Sequence, residues 1–320
     1  MANSSFADGV QFVFDATSIE LAQTCHRKYY YQMIRSLRPN NTSVHLLFGG
    51  IYAKAMENFY KHRVAGVERE AAIKAVVHRA LIESWAHERT AEGSRIPGTG
   101  APLAFDHAAK TRTNLIRSIV WYLDNYADDE EHYPLAVLPS GEAAVEVTFK
   151  LDAGFDDILF AGHLDRLVQY GGHTYWMDQK TTTTALTSYY FRQFDPHNQF
   201  SMYTWAGQII LQSPVKGGLI DAARILPGAT EFARQFSLRT RTQLEEWHTN
   251  VQKAIKRIRQ ATQAFRHYGS EGHFEMNLSA CGNYGGCPFR AICSATPEIR
   301  EQIIQGDYQT VAPWDPAKAR

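Results

Sequence analysis

Two carboxylates and one ammonium group stand at a spacing that can support metal-assisted hydrolysis. Asp165 lies in the run Gly162-His163-Leu164-Asp165-Arg166, and Asp178 and Lys180 lie in Trp176-Met177-Asp178-Gln179-Lys180. Both runs read as β-strand, joined by the hairpin signal Gly171-Gly172. Alternate side chains of a strand share a face, so Asp178 and Lys180 point the same way. Pairing of the two strands would bring Asp165 beside them. Two carboxylates can hold Mg²⁺ or Mn²⁺, hard cations that take oxygen ligands, and the Gln179 carbonyl could add another oxygen. A neighbouring lysine can orient an attacking water. This is equipment for phosphodiester hydrolysis, in which the metal acts as Lewis acid and activates water. Asp178-Gln179-Lys180 is the sole acid-x-Lys in the chain. The competing reading is an exposed hairpin with Asp165 paired to Arg166 and Asp178 to Lys180, contacts of little energetic weight.

The elements that must position these groups follow from local pattern. A helix over about 198–211 places Gln199 and Tyr203 one turn apart on one face. They could contact phosphate or stack on a base without reading sequence, or Tyr203 could simply lie in the core. Period-two patterning predicts strands at 144–149, 158–168, 173–178, 218–226 and 232–239. Upstream, the pattern predicts helices from Thr17 to about Ser36, through 48–60, from Glu68 to about Thr90 and near 105–126; a long polar helix follows at 241–266. Thr17 with Glu20 reads as a capping box opening the first of these. Glycines and prolines between Ala91 and Leu103 read as a loop. The acidic run Asp128-Asp129-Glu130-Glu131 reads as a solvated linker. Linear segmentation then gives a helical N-terminal region (1–130), a core carrying the acid-x-Lys (140–268), a cysteine-rich segment packing on the first helix (269–300) and a tail (301–320).

Composition restricts the function classes. The 320 residues carry 33 Lys+Arg against 33 Asp+Glu, so any nucleic-acid surface must be a local patch. One candidate is Arg27, Lys28, Arg35 and Arg38 interleaved with Tyr29, Tyr30 and Tyr31, which could hold a single strand; alternatively the tyrosines are interior and the cations solvated. Lys253, Lys256, Arg257 and Arg259 read as the solvated face of the polar helix. The start MANSSFADGV has neither a basic n-region nor an apolar h-region, and no stretch is apolar enough to span a membrane. The expectation is a cytoplasmic protein. It lacks a P-loop of the form G-x-x-x-x-G-K-[ST], so unwinding would need a helicase or recombination partner.

Cys25, Cys281, Cys287 and Cys293 are the only cysteines, three of them close together. Four thiolates suit one metal centre, and disulfides would be unusual in a reducing compartment.

The ordered set Gly162-x-x-Asp165-Arg166, Asp178-Gln179-Lys180-Thr181-Thr182 and Gln199-x-x-x-Tyr203 resembles the RecB-type branch of the PD-(D/E)xK nucleases. Phe48-Gly49-Gly50 through Glu57 resembles that branch's opening motif. The resemblance implies an α/β fold of the restriction-endonuclease-like kind, with a central mixed sheet flanked by helices. It implies Mg²⁺ or Mn²⁺, with Asp165 and Asp178 as ligands, Lys180 as catalytic lysine, and Gln199 and Tyr203 as a supporting pair. The expected partner is DNA, as ends or single strands, and the expected activity exonuclease action in recombination, repair or phage DNA processing. Cys281-x5-Cys287-Pro288-x4-Cys293 with the remote Cys25 resembles the AddB-type and CRISPR-associated members that carry a 4Fe–4S cluster. Those relatives more often have a two-residue gap between the second and third cysteines, and structural zinc is the rival occupant. A second departure is Ala53, where the branch usually has a histidine ligand; Glu57, one turn on, could complete the metal shell or be a solvent-exposed acid. Ala53 also supports another reading, a nuclease-like fold that binds DNA or a partner protein with little or no cutting.

Overall fold

The computed structural model describes residues 5–7, 9–40, 43–88, 90, 96, 99–103 and 105–316. In chain order, strand β1 (Val13–Phe14) leads into helix α1 (Ala16–Thr24). Helices α2 (Val44–Val64), α3 (Arg69–Glu83), α4 (Arg112–Asn125) and the one-turn α5 (Asp129–His132) follow. Then come strands β2 (Val145–Asp152), β3 (Leu159–Tyr170) and β4 (His173–Thr182), helix α6 (Asn198–Leu211), and strands β5 (Val215–Ile225) and β6 (Thr230–Leu238). Helix α7 (Arg241–Tyr268), helix α8 (Arg300–Asp307) and strand β7 (Tyr308–Thr310) complete the set. The fold is mixed α/β, with a central mixed sheet flanked by helices.

The chain divides into two compact units that do not follow its linear order: Met1–Asn41 with Thr148–His163 and Arg239–Arg320, and Thr42–Val147 with Leu164–Leu238. In the second unit β6, β5, β4 and the latter part of β3 lie side by side; β5 is parallel to β4, and the other pairings are antiparallel. The β3–β4 turn closes on Tyr170↔His173 around Gly171 (φ 56°) and Gly172 (φ 76°). Successive positive φ values define a two-residue turn that glycine makes without steric cost and that matches strand twist.

The sheet's two faces carry different helices. Residues of α2, α3 and α4 form a core with Ala223 and Ile225 of β5. On the other face Phe200 of α6 packs at a tilt against Trp176 of β4, with ring centroids 4.4 Å apart. Gly218 of β5 permits that packing, because a Cβ there would lie 2.6 Å from Trp176 and 2.7 Å from Phe200. Gly218→Ala is therefore expected to destabilise the fold by about 3 kcal/mol or more, since both rings are wholly buried. Gly50, inside α2 with nothing within 4 Å of such a Cβ, is expected to gain about 0.5–1 kcal/mol on replacement by alanine. Urea midpoints of the two variants test the contrast; a neutral Gly218→Ala would mean that α6 does not pack as described.

In the first unit the initial helix differs from expectation. Its N-cap is Asp15, whose carboxylate accepts the Ser18 N–H while the Ser18 hydroxyl accepts the Asp15 N–H. The helix does not continue to Ser36, because Cys25 is extended (φ −163°, ψ 113°). A helical turn over His26–Tyr29 and a π-turn over Tyr30–Ile34 follow. The segment expected as a tail is also structured, since β7 pairs antiparallel with Leu37–Pro39.

Two further expectations need correction, and a third lies partly beyond the described residues. The helix read to Thr90 stops at Glu83, because Trp85–Ala86 pairs with Ala101–Pro102 instead. The helix read from 105 starts at Arg112, where the Thr111 hydroxyl caps the Asn114 N–H. The loop expected between Ala91 and Leu103 falls partly outside the described residues, Gly93, Pro97 and Gly98 included.

Candidate active site

The register of β3 with β4 runs from Tyr170↔His173 to Arg166↔Met177. One further step sets Asp165 opposite Asp178, on the same face. Asp165 Oδ2 accepts the backbone N–H of Gln179 at 3.3 Å. Gln199, in the first turn of α6, joins the other two groups: its Nε2 donates to Asp178 Oδ1 at 3.0 Å, and its Oε1 accepts from Lys180 Nζ at 3.0 Å. An amide carries a donor and an acceptor together, so one side chain can hold a carboxylate and an ammonium. The turn bearing Gln199 is fixed by its N-cap, His197, whose Nδ1 accepts the Gln199 N–H.

Lys180 Nζ lies 2.6 Å from Asp178 Oδ2, yet that oxygen receives no directed hydrogen bond, so the contact is one of charge. Asp178 is only 5% exposed. A buried carboxylate oxygen with lone pairs to spare, opposite a second carboxylate, fits Mg²⁺ or Mn²⁺. Mg²⁺ commonly takes one or two protein carboxylates and fills its shell with water and substrate phosphate. Asp165 and Asp178 would hold the ion, with the Gln179 carbonyl as a further donor.

Glu57 is not brought to this pair. It is clamped by Lys54 at 2.8 Å and Lys61 at 2.5 Å, and α2 packs against the face of β4 that bears Gln179 and Thr181, opposite to that of Asp178 and Lys180. Among the described residues no group of three or more His, Cys, Asp and Glu gathers closely enough to hold a metal ion. Tyr203 shares the helix with Gln199 but is 6% exposed and packs edge-on against Trp176 at 5.2 Å, a core position closed to a stacking base.

The reverse side of β4 carries an arrangement that sequence reasoning missed. The Gln179 side chain donates to Tyr122 Oη at 3.0 Å and to Asp221 Oδ2 at 2.8 Å. Arg166 and Arg234 each pair with both Asp129 and Asp221. The Tyr60 hydroxyl donates to Asp129 at 2.6 Å, and that of Tyr122 donates to Asp221. The acidic run is a solvated linker only in part: Asp128, Glu130 and Glu131 are exposed, but Asp129 is 5% exposed and is an anchor of the fold. Burial works to raise its pKa, but the Arg166 and Arg234 cations outweigh that and hold it below the usual carboxylate value. Nor is Arg166 an exposed partner of Asp165. The available signal was Asp221 standing alone in the apolar run Gly218-Leu219-Ile220-Asp221-Ala222-Ala223.

The basic and aromatic patch around Cys25 is not a stacking platform. Tyr29, Tyr30 and Tyr31 are buried, Tyr30 stacks on Phe274 at 4.7 Å, and Arg27 binds the Phe274 carbonyl and Glu271. Arg35 pairs with Glu301. Lys253, Lys256 and Arg257 are exposed on α7, as expected for a solvated face.

The first unit brings the cysteines into one neighbourhood. Extended Cys25 lets its Sγ donate to Glu275 O at 3.9 Å and accept the Asn277 N–H at 3.5 Å, while Cys281 Sγ donates to Asn277 O at 3.8 Å. Cys287 N–H donates to Cys281 O. Burial pushes the Cys293 thiol up to about 11, with Cys287 and Cys25 close enough to add to the shift. The donor set suits a thiolate-bound metal, but the four sulfurs are not drawn together as a ligand group.

The family model for the PD-(D/E)XK nuclease superfamily matches residues 14–294. The chain belongs to this superfamily. No curated protein matches the chain. A solved chain described as "Crystal structure of SSO0001" is similar at 9% identity and a TM-score of 0.24, covering 44% of this chain and 64%, less than two thirds, of that one. Among the described residues no helix is long and apolar enough to cross a membrane.

Proposed function

We propose that this PD-(D/E)XK protein is a Mg²⁺- or Mn²⁺-dependent DNA nuclease that works as an exonuclease on DNA ends or single strands. The observation that carries the reading is the Gln199 bridge between Asp178 and Lys180, with Asp165 opposite. A bound divalent ion supplies Lewis-acid polarisation of the phosphate and a more acidic water. The chain's own groups do the rest. Asp165 and Asp178 fix the ion's place, and Gln199 holds the Lys180 ammonium at a set distance from Asp178. Lys180, with its side chain 28% exposed, can donate to the attacking water and align it with phosphorus. Water oxygen bonds to phosphorus as the P–O bond to the leaving nucleotide breaks; the water gives up its proton to solvent, and the leaving oxygen takes one from solvent.

End-labelled single- and double-stranded DNA incubated with Mg²⁺ or Mn²⁺, against EDTA, tests this directly. Metal-dependent product ladders running from one end are expected; internal cuts alone would replace exonuclease with endonuclease action. Ala53, where the branch this chain resembles usually has a histidine, favours a second reading, DNA binding with little or no cutting. Tight binding without cleavage would support it.

In the same proposal Cys25, Cys281, Cys287 and Cys293 hold a 4Fe–4S cluster of structural role. Support comes from the four-thiol set and the convergence of residue 25 on the 275–293 segment within one unit. Tying positions so distant in sequence would remove much chain entropy from the unfolded state. Anaerobically purified protein is expected to contain about four irons, and Cys25→Ala to lose them together with thermal stability. Zinc in their place would make the site a zinc staple, and a stable, metal-free protein would remove the staple altogether.

A further inference from the structure

Lys110 is 1% exposed, yet no carboxylate pairs with it among the described residues. Its Nζ has Thr181 Oγ1 at 3.4 Å and the Phe48 ring at 5.4 Å. An ammonium buried without an acid is costly to the fold. Burial pushes it down to about 8, so at neutral pH it is still mostly charged. Its other neighbours are also bases. His45, in the first turn of α2, and His107 lie ring to ring at 5.2 Å, and both Lys110 and His107 depress the His45 pKa, after burial itself. His107 Nδ1 accepts the backbone N–H groups of Ala109 and Lys110, each at 3.0 Å, which places the proton of a neutral ring on Nε2 and makes that atom a donor. His45 is exposed, His107 half-buried and Lys110 buried, so the three basic side chains run from the surface inward, each able to offer an N–H.

Resting on the nuclease reading, we propose that Lys110, His107 and His45 bind a backbone phosphate of the nucleic acid next to the one being cut. An ammonium and two imidazoles with no paired acid among the described residues are complementary to an oxyanion. Position supports the assignment. Thr181, which touches Lys110, directly follows Lys180 near the C-terminal end of β4 but faces the other side. A strand passing around that end would present one phosphate to Asp178 and Lys180 and a neighbouring one to Lys110. The site reads no base, as a nuclease indifferent to sequence requires.

The test is fluorescence anisotropy with labelled oligonucleotides of unrelated sequence, over a range of NaCl, with EDTA present and Lys180→Ala as the parent so that nothing is cut. Lys110→Met is expected to weaken binding of all sequences alike and to make the slope of log K against log[salt] shallower by about one contact's share, 0.7 to 0.9. Its thermal midpoint should be equal to or above the parent's, because methionine removes the buried charge. A purely structural lysine would move the midpoint and leave the salt slope alone. His45→Ala, on the exposed rim, should weaken binding without changing the slope, because its imidazole is neutral. An unchanged slope in folded Lys110→Met overturns the proposal; should that variant not fold, unchanged affinity in His45→Ala does so. A parent that binds no DNA would instead overturn the nuclease reading, and the phosphate site with it.

Discussion

Lys180→Ala is expected to lower metal-dependent DNA cleavage by about two orders of magnitude, the cost of leaving the attacking water misaligned. Three contacts lead to this expectation: the 2.6 Å approach to Asp178, the 3.0 Å bond from Lys180 to Gln199, and the second bond by which Gln199 holds Asp178. Without the ammonium, the carboxylates would still hold the ion and DNA would still bind, so the loss should fall on kcat rather than KM. Circular dichroism and iron content should be unchanged, because Lys180 lies in the unit that holds none of the cysteines. Cleavage surviving at near the parental rate would remove Lys180 from the mechanism and leave water alignment to the carboxylates alone.

Asp221→Ala is expected to destabilise the protein by about 3–5 kcal/mol, the range found when one member of a buried ion pair is removed. Asp221 is wholly buried and faces Arg166, Arg234, Tyr122 and Gln179. The variant leaves two buried guanidinium groups against the single carboxylate of Asp129. It also removes one of the two bonds that hold the Gln179 side chain, whose backbone holds Asp165, so the surviving folded protein should cleave poorly as well. Denaturant unfolding measures the first effect; a cost under about 1 kcal/mol would show that water enters the cluster. The same cluster sets an acid limit. Asp129 has its folded pKa held below the unfolded value, so its stabilisation is complete above about pH 4 and is lost as pH falls through the folded pKa. Unfolding free energy should therefore drop below pH 4, less steeply when Arg234 is replaced by methionine.

The reach of sequence reasoning can be judged from particular residues. The β3–β4 hairpin was legible because Gly171-Gly172 between alternating strands allows few other turns, and helix 198–211 was read to the residue. Those two elements suffice to set Asp178, Lys180 and Gln199 on one side of the sheet. Glu57 was misjudged because helical spacing gives a face but not its partners, and two lysines on the same helix took the carboxylate. The break at Cys25 was invisible because nothing local stops the helix; contacts with residues 274–277 are made there instead.

By itself, then, the sequence determined the chemistry-bearing residues, the strand and helix that present them and the superfamily they resemble. Each of those depends on periodicity and turn chemistry within about twenty residues. Only the tertiary structure decided which charges are buried and with whom. Asp129 meets Asp221 through two arginines, and Lys110 lies beside Thr181 with no paired acid among the described residues. These juxtapositions join positions tens of residues apart. The energy of a buried charge depends on neighbours in space, which no local pattern records.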